Sequence, residues 1–295
     1  MLKPAIVGVG VVGKAMRALL PEAVDYDVQS HPESRRAEVN RCDIAFVCVP
    51  TPTAADGSCD TGIVASVVAW LKTPLIVIRS TIAPGTTDRL RTRSGKRIVF
   101  QPEYLGETPG HPMTHLKGRE FIVLGGATQD TSAVADFYKH YYHSDLRFYF
   151  CDALTAELAK YMENCFYAVK VTFCNEFFDL ARAFGVDFNV LREVWLADPR
   201  ISRDHTFVYP GQRGFGGKCL PKDLSALIAA ARRRGCDPAL LAATQAVNER
   251  FRTAGGGEPS RPVSEAAATP PLPPSRRRFL EPTLPEAVTG GYRAD

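Results

Sequence analysis

No apolar run in this 295-residue sequence is long enough to span a bilayer as a helix. A secretory leader is missing too: Met1-Leu2-Lys3-Pro4 leads straight into a short apolar strand, with no small-residue cleavage site behind it. Paired cysteines are absent. The eight cysteines, at positions 42, 48, 59, 151, 165, 174, 219 and 236, are scattered singly, with no C-x-x-C pair and no disulfide-like framework. The expected compartment is therefore a reducing cytoplasm, and most of these thiols read as buried small hydrophobes. Charge of one sign is not in excess either: 36 Lys and Arg against 32 Asp and Glu leave a net +4. Nucleic acid would call for a concentrated basic face. An anionic small molecule needs only a few local Arg or Lys side chains. No repeat of solenoid period is present.

What is present first is an alternation of strand and helix. Ala5-Ile6-Val7 is a short β run ending in glycines. Ile44 to Val49, Leu75 to Ile78, Ile98 to Phe100 and Phe121 to Leu124 are continuous apolar runs separated by polar or Gly/Pro turns. Strands buried on both faces of a parallel sheet read this way, so the fold class is α/β, an N-terminal Rossmann-like doubly wound sheet over residues 1–150. From Asp152 to Phe184 the period changes. Leu154, Leu158, Met162, Phe166, Val169, Phe173, Phe177 and Leu180 recur at helical spacing, with Asp152 or Thr155 as cap and Gly185 at the end. A helix over about 188–197, a Gly-rich loop over 199–220, and helices starting near Pro221 and Pro238 complete an all-helical domain over 151–252. Residues 253–295 carry Gly255-Gly256-Gly257, eight prolines and Arg276-Arg277-Arg278 without apolar periodicity, which predicts a disordered tail.

Gly8-Val9-Gly10-Val11-Val12-Gly13 is G-x-G-x-x-G directly after a strand and opening a helix. Gly8 permits the tight turn, Gly10 lets the backbone approach a pyrophosphate, and Gly13 lets helix and strand pack closely. The acid that follows such a loop by about 20 residues takes the ribose hydroxyls. Asp27, at the end of a strand over 23–28, is the first choice and Asp25 the second. If neither serves, Arg35 or Arg36 would hold a 2′-phosphate and the cofactor would be NADP.

Cys219 lies between a glycine run and a helix start. A helix N-terminus favours thiolate, and the glycines leave room for a substrate at the sulfur. Lys160 and Asn164 are four apart and share a helix face, where they either stabilise an oxyanion or form a solvated surface. Glu103 and Thr81 each sit just past a strand end, where α/β sheets place ligands. Otherwise they are a turn residue and a cap. His111 and His115 are four apart, but Pro112 breaks the helix that would align them and no third ligand is spaced to join, so no metal is expected. Trp70, Trp195 and the aromatics of the long helix read most simply as core.

Several segments resemble successive signatures of the UDP-glucose/GDP-mannose dehydrogenase family. They are Thr51-Pro52-Thr53 with Asp56-Gly57, Arg79 to Thr87 (RSTIAPGTT), Gln101 to Glu107 (QPEYLGE), Glu157 to Asn164 (ELAKYMEN) and Gly214 to Asp223 (GFGGKCLPKD). They occur in the family's order. The resemblance implies a four-electron oxidation of a nucleotide sugar's C6 alcohol with two NAD molecules in turn, in the context of polysaccharide biosynthesis. Cys219 would capture the aldehyde as a thiohemiacetal and pass through a thioester. Lys160 and Asn164 would steady oxyanions, and Glu103, Thr81 and Asp223 would handle the proton and the water. Gly8, Gly10, Val11, Val12, Gly13, Asp27, Thr53, Thr81 and Glu107 would hold NAD. Phe215, Gly216, Glu103, Lys160 and Asn164 would touch the substrate. Arg200 would reach the sugar, from the neighbouring subunit in many members. A homodimer through the phenylalanines of the long helix follows. Family members carry a third, nucleotide-gripping domain where this sequence has its Pro-rich tail, so a truncated or frameshifted gene, and a non-catalytic NAD-binding remnant, are also expectations. A two-electron dehydrogenase of the 3-hydroxyacid type shares the two-domain plan but has no use for Cys219.

The composition of the tail yields a test. Deleting residues 253–295 should leave stability to urea within about 1 kcal/mol of the parent, the scale of ordinary surface changes. A larger loss would mean that the tail packs on the body.

Overall fold

The computed structural model describes residues 2–106 and 116–254. Glu107, His111, His115 and the tail beyond Ala254 lie outside the described residues. The first half runs β1 (Pro4–Val7), α1 (Val11–Leu19), β2 (Val24–Tyr26), α2 (Arg36–Val39), β3 (Ile44–Val47), α3 (Gly62–Trp70), β4 (Leu75–Ile78), α4 (Thr86–Ser94), β5 (Ile98–Phe100), β6 (Phe121–Gly125), α5 (Thr128–Tyr138) and β7 (Arg147–Cys151). The strands form one sheet in the order β2-β1-β3-β4-β5-β6-β7. β1 to β5 are mutually parallel, β6 is antiparallel to β5, and β7 is parallel to β6. This is the Rossmann-like doubly wound sheet. Strand order reverses between β1 and β3, where such sheets bind ligands beyond the carboxyl ends of the strands.

Period-two alternation divides the core. Ala5, Val7, Ala45 and Val47 face one layer with α3, α4 and the start of the next helix, while Ile6, Ile44 and Phe46 face α1 and α5. The expected strands over 23–28 and 44–49 are shorter than their apolar runs. β7 was not anticipated; it is an edge strand that leaves Arg147, Tyr149 and Phe150 exposed.

The second half is helical: α6 (Ala153–Ala183), α7 (Phe188–Trp195), α8 (Cys219–Arg232) and α9 (Ala239–Ala254). Asp152 caps α6 by accepting the Thr155 N–H at 2.8 Å. α8 starts at Cys219 and carries Pro221 in its first turn, as expected. α6 packs against β5 and β6 as well as α8 and α9, and all described residues belong to one compact unit.

The burial of α6 reverses the simplest reading of its sequence. Phe166, Phe173 and Phe177, read most simply as core, are 39–59% exposed, and Leu158, Met162 and Leu180 on the same helix are 42–76% exposed. The buried stripe is small and polar: Ala153, Ala156, Glu157, Lys160, Tyr161, Asn164, Cys165 and Ala168. Small residues let α6 approach the sheet. A Cβ on Gly125 of β6 would lie 2.5 Å from the Ala156 Cβ, so only glycine fits there. Glu157 then fastens α6 to α4. It accepts the Thr87 N–H at 2.8 Å, the Thr87 hydroxyl at 2.6 Å and the Gly85 N–H. Gly85 is the N-cap of α4 and has no side chain to serve it (φ +86°), so a carboxylate from another helix supplies the cap. Burial pushes the Glu157 carboxyl up, against the pull of these donors.

Glu157→Ala strands buried donors and removes the cap, so it should cost about 2–4 kcal/mol in urea unfolding. Glu157→Gln, which keeps one acceptor oxygen, should fall between alanine and the parent. An alanine variant within about 0.5 kcal/mol of the parent would show that α6 is seated by packing alone.

Candidate active site

The glycine loop follows from steric demands at three positions. Gly8 adopts φ +92°, and a Cβ there would stand 2.6 Å from the Cys48 carbonyl oxygen. A Cβ on Gly13 would strike the Gly8 carbonyl. Around Gly10, by contrast, there is open space. Gly10 is the N-cap of α1 and supplies no side chain, so the N–H groups of the first turn, from Val11 onward, are left for an outside acceptor. This cradle fits the pyrophosphate of NAD.

Asp27 follows β2 and closes onto the loop. Its Oδ2 accepts the Val9 N–H at 2.7 Å and its Oδ1 the Gln29 N–H at 2.9 Å. These two donors hold its carboxyl below the usual aspartate range. The other candidates are occupied. Asp25 is paired with Arg17 at 2.9 Å and Arg35 at 3.1 Å. Arg36 binds Glu33 at 2.5 Å and packs 5.0 Å from the Trp70 ring. Thr53, in the loop after β3, is exposed and bridges to Cys59. Thr81, after β4, is half-buried, and its carbonyl accepts the Thr51 hydroxyl at 2.7 Å and the Cys59 thiol at 3.5 Å.

Lys160 and Asn164 are buried, which removes the solvated-face alternative. Lys160 Nζ donates to Asn164 Oδ1 at 3.1 Å, Asn164 Nδ2 donates to Asp223 Oδ2 at 2.6 Å, and Lys222 Nζ donates to Asp223 Oδ1 at 2.5 Å. Glu163 stands 3.4 Å from Lys160 Nζ. Cys219 is exposed as the first residue of α8, and Asp223 lies one turn on, on the same face. Lys160, Asn164 and Asp223 therefore form one hydrogen-bonded row between α6 and α8, one helical turn from Cys219. The loop after β3 also reaches α8: Ser225 Oγ donates to the Gly57 carbonyl at 3.1 Å, and Arg233 pairs with Asp56 at 3.1 Å.

Three expectations change. Glu103 is no open base. It is buried, ion-paired with Arg79 and Arg119, and accepts the Tyr104 and Leu105 N–H groups at 2.7 and 2.8 Å, so its lone pairs are spoken for. Burial and the neighbouring Arg79 charge bring Arg119 down to about 10, which leaves it charged at neutral pH. Phe215 is not open to a substrate either. Its ring packs in the core with Cys165, Ala168, Leu224 and Ile228, and Asn248 takes both its N–H (2.7 Å) and its carbonyl (3.0 Å). Gly216 lies under the Arg252 guanidinium. Arg200, 87% exposed at its side chain, makes its hydrogen bonds within this chain to Asp198 and does not join the Lys160 group. The Asn248 latch and the two arginines on Glu103 escaped sequence reasoning. Their partners are 16 to 33 residues away and no local pattern marks them.

Comparison with known proteins agrees with this geometry. Residues 9–142 match the NAD-binding domain model of the UDP-glucose/GDP-mannose dehydrogenase family, and residues 154–250 match its central-domain model. A UDP-glucose 6-dehydrogenase of Pseudomonas aeruginosa is 32% identical over 225 residues, covering 70% of this chain and 49% of that protein. The UDP-glucose 6-dehydrogenase AglM of Haloferax volcanii is 32% identical over 246 residues, covering 76% of this chain and 54% of that protein. The structure of a UDP-glucose dehydrogenase from Pyrobaculum islandicum superimposes with a TM-score of 0.73 at 29% identity, over 85% of this chain and 68% of that one. The chain spans about half the length of the curated relatives it matches.

Two variants test the cofactor end. Gly10→Val fills the open space with a branched side chain, so NAD binding by calorimetry should fall at least about tenfold while the fold persists. Unchanged affinity would place the pyrophosphate elsewhere. The Asp27 carboxyl sits lower in the folded than in the unfolded chain, so its contribution to stability is present above about pH 4 and lost as pH falls through the folded value. Asp27→Asn should therefore flatten the acid side of the urea-midpoint profile between about pH 5 and 3; an unchanged slope would assign the shift to other groups. NAD is the cofactor of this fold, and the chain belongs to the UDP-glucose/GDP-mannose dehydrogenase family.

Proposed function

We propose that this protein oxidises the C6 alcohol of a nucleotide sugar to the carboxylate, with Cys219 as covalent nucleophile and NAD as cofactor. The observation that carries the reading is the hydrogen-bonded row that runs from Lys160 and Asn164 of α6 to Asp223 of α8, one turn on from Cys219. Bound NAD supplies the hydride acceptor, used twice. Gly8, Gly10 and Gly13 shape its cradle, the Val11 and Val12 N–H groups face its phosphates, and Asp27 takes its ribose hydroxyls. Thr53 and Thr81 would line the approach to it, and the family resemblance assigns Glu107, outside the described residues, to the cofactor as well.

The chain's own residues supply the rest. Lys160 gives one N–H to Asn164 and one to Glu163 and keeps a third, and Asn164 has a second amide N–H beyond the one held by Asp223. Both can donate to a C6 oxyanion. The Cys219 thiolate adds to the aldehyde carbon and holds it as a thiohemiacetal, so the intermediate does not escape between the two oxidations. After the second oxidation the carbon is a thioester. Water adds to it, the C–S bond breaks, and the carboxylate leaves with the thiol regenerated. Thr81 orients that water and Asp223 fixes Asn164. Glu103 anchors the loop after β5 and does not carry the proton. Arg200, turned outward, is placed to serve a second subunit's sugar. The exposed stripe of α6, with Val190 and Val194 of α7, is the homodimer face. A cytoplasmic setting keeps Cys219 a thiol. A two-electron 3-hydroxyacid reaction would leave Cys219 without a task.

Burial pushes up the thiols of Cys42, Cys48, Cys151 and Cys174, and that of Cys165 to about 12. Cys236 is exposed as Cys219 is, but it stands in the turn after α8 and not at a helix N-terminus. Sub-stoichiometric iodoacetamide at neutral pH should therefore label Cys219 first by peptide mapping. NAD reduction with UDP-glucose, UDP-N-acetylmannosamine and GDP-mannose in parallel should find the substrate, and Cys219→Ala should abolish sugar-acid formation. A Cys219→Ala protein that still made acid at the parent rate would refute the covalent route. Selective labelling without turnover on any of the three sugars would favour the NAD-binding remnant.

A further inference from the structure

Tyr104 has no assigned part in the site, yet the site's charges meet around it. Its backbone N–H is fixed by Glu103, which is itself held between Arg79 of the β4 end and Arg119 before β6. Its ring is half-buried and packs on Phe121 at 5.4 Å between centroids. The Lys160 ammonium lies 4.9 Å from the ring centroid and the Arg119 guanidinium 5.9 Å. The groups around Lys160 are few. α6 offers Glu163 at 3.4 Å and Asn164 at 3.1 Å, α8 offers Asp223 through Asn164 with Lys222 beyond, and the β5–β6 connection offers this ring. Asn164 and Glu163 hold the ammonium from its own helix, and the ring packs against it from the β5–β6 connection. An aromatic face attracts a cation without consuming an N–H donor.

We propose that Tyr104 is a positioning residue for Lys160: its ring, set in place by the buried Arg79–Glu103–Arg119 group, holds the ammonium beside Asn164 with a donor to spare for the substrate oxygen. This rests on the reaction proposed above for the meaning of that oxygen, but not for the geometry. It also gives the Glu103 ion pairs a purpose, since they anchor the loop that carries the ring.

The test separates the two. In protein labelled with ¹³C at the lysine ε-carbon, the Lys160 signal, identified by its loss in Lys160→Arg, should be displaced upfield by the ring current in the parent. The displacement should persist in Tyr104→Phe and vanish in Tyr104→Leu. Turnover of the nucleotide sugar should fall roughly tenfold in kcat in Tyr104→Leu, with KM within about twofold, and be restored in Tyr104→Phe. A parent signal without ring-current displacement overturns the proposal even if the leucine variant fails to fold, and so does a kcat unchanged in a folded Tyr104→Leu. A displaced signal that follows the ring in a protein without turnover supports the positioning and counts against the reaction.

Discussion

The arrangement depends on how α6 is seated. One stripe of that helix, Ala156, Glu157, Lys160, Asn164 and Ala168, runs down its inner side at helical spacing. Its first members dock the helix: Ala156 against Gly125, and Glu157 into the open N-terminus of α4. The next members are the polar side chains of the site. A helix is stiff over two turns, so docking at 156–157 fixes the azimuth at 160 and 164. The same constraint turns the large apolar residues outward. They are not surplus hydrophobicity but the other face of a helix whose inner face is reserved for chemistry, and they present a surface suited to a second subunit.

Buried charge is managed in two separate groups. On one side, Glu103 is shared by Arg79 and Arg119, with Tyr138 and Gln101 continuing the network from α5 and β5. On the other, Asp223 is shared by Asn164 and Lys222, with Lys160 at the end of the row. A buried charge is tolerated only when its partners are complete, and removing one partner costs more than the pair contributes. The first group is saturated, and saturation argues against its exchanging protons. The second ends in a lysine and an amide with donors remaining, which is the condition for binding a developing anion. The two groups meet at the ring of Tyr104.

The parts legible in the sequence were those with a local steric signature. The glycine fingerprint is one: each glycine answers a clash or an approach within a few residues, and the three observed environments match the three reasons for choosing glycine. The doubly wound sheet followed from alternating apolar runs and the long helix from its 3.6-residue period. Periodicity could not say which stripe of α6 is buried, because it reports where apolar side chains recur and not what they face. Glu103 was misjudged for a related reason. A carboxylate at a strand end reads as a base until its partners are known, and those partners come from β4 and from the segment before β6. Phe215 was assigned to the substrate through its motif, but its backbone is claimed by Asn248.

That last contact shows how far from the reaction the control of the nucleophile extends. Asn248 lies on α9, the last described helix, and its amide satisfies both backbone groups of Phe215. The ring of Phe215 is buried under α6 and α8. Gly214 takes φ +71° and Gly217 takes φ +75°, turns that let the chain leave this anchor and enter α8 within a few residues. The position of Cys219 is therefore fixed from both sides: downstream by Asp223 bound to Asn164, upstream by Phe215 bound to Asn248. A thiol exposed at the start of a helix would ordinarily share the fraying of the helix end. Here the first turn of α8 is held to α6 by one side-chain amide and the loop before it to α9 by another. An exposed sulfur on a backbone anchored from both sides is what the proposed covalent route would require of Cys219.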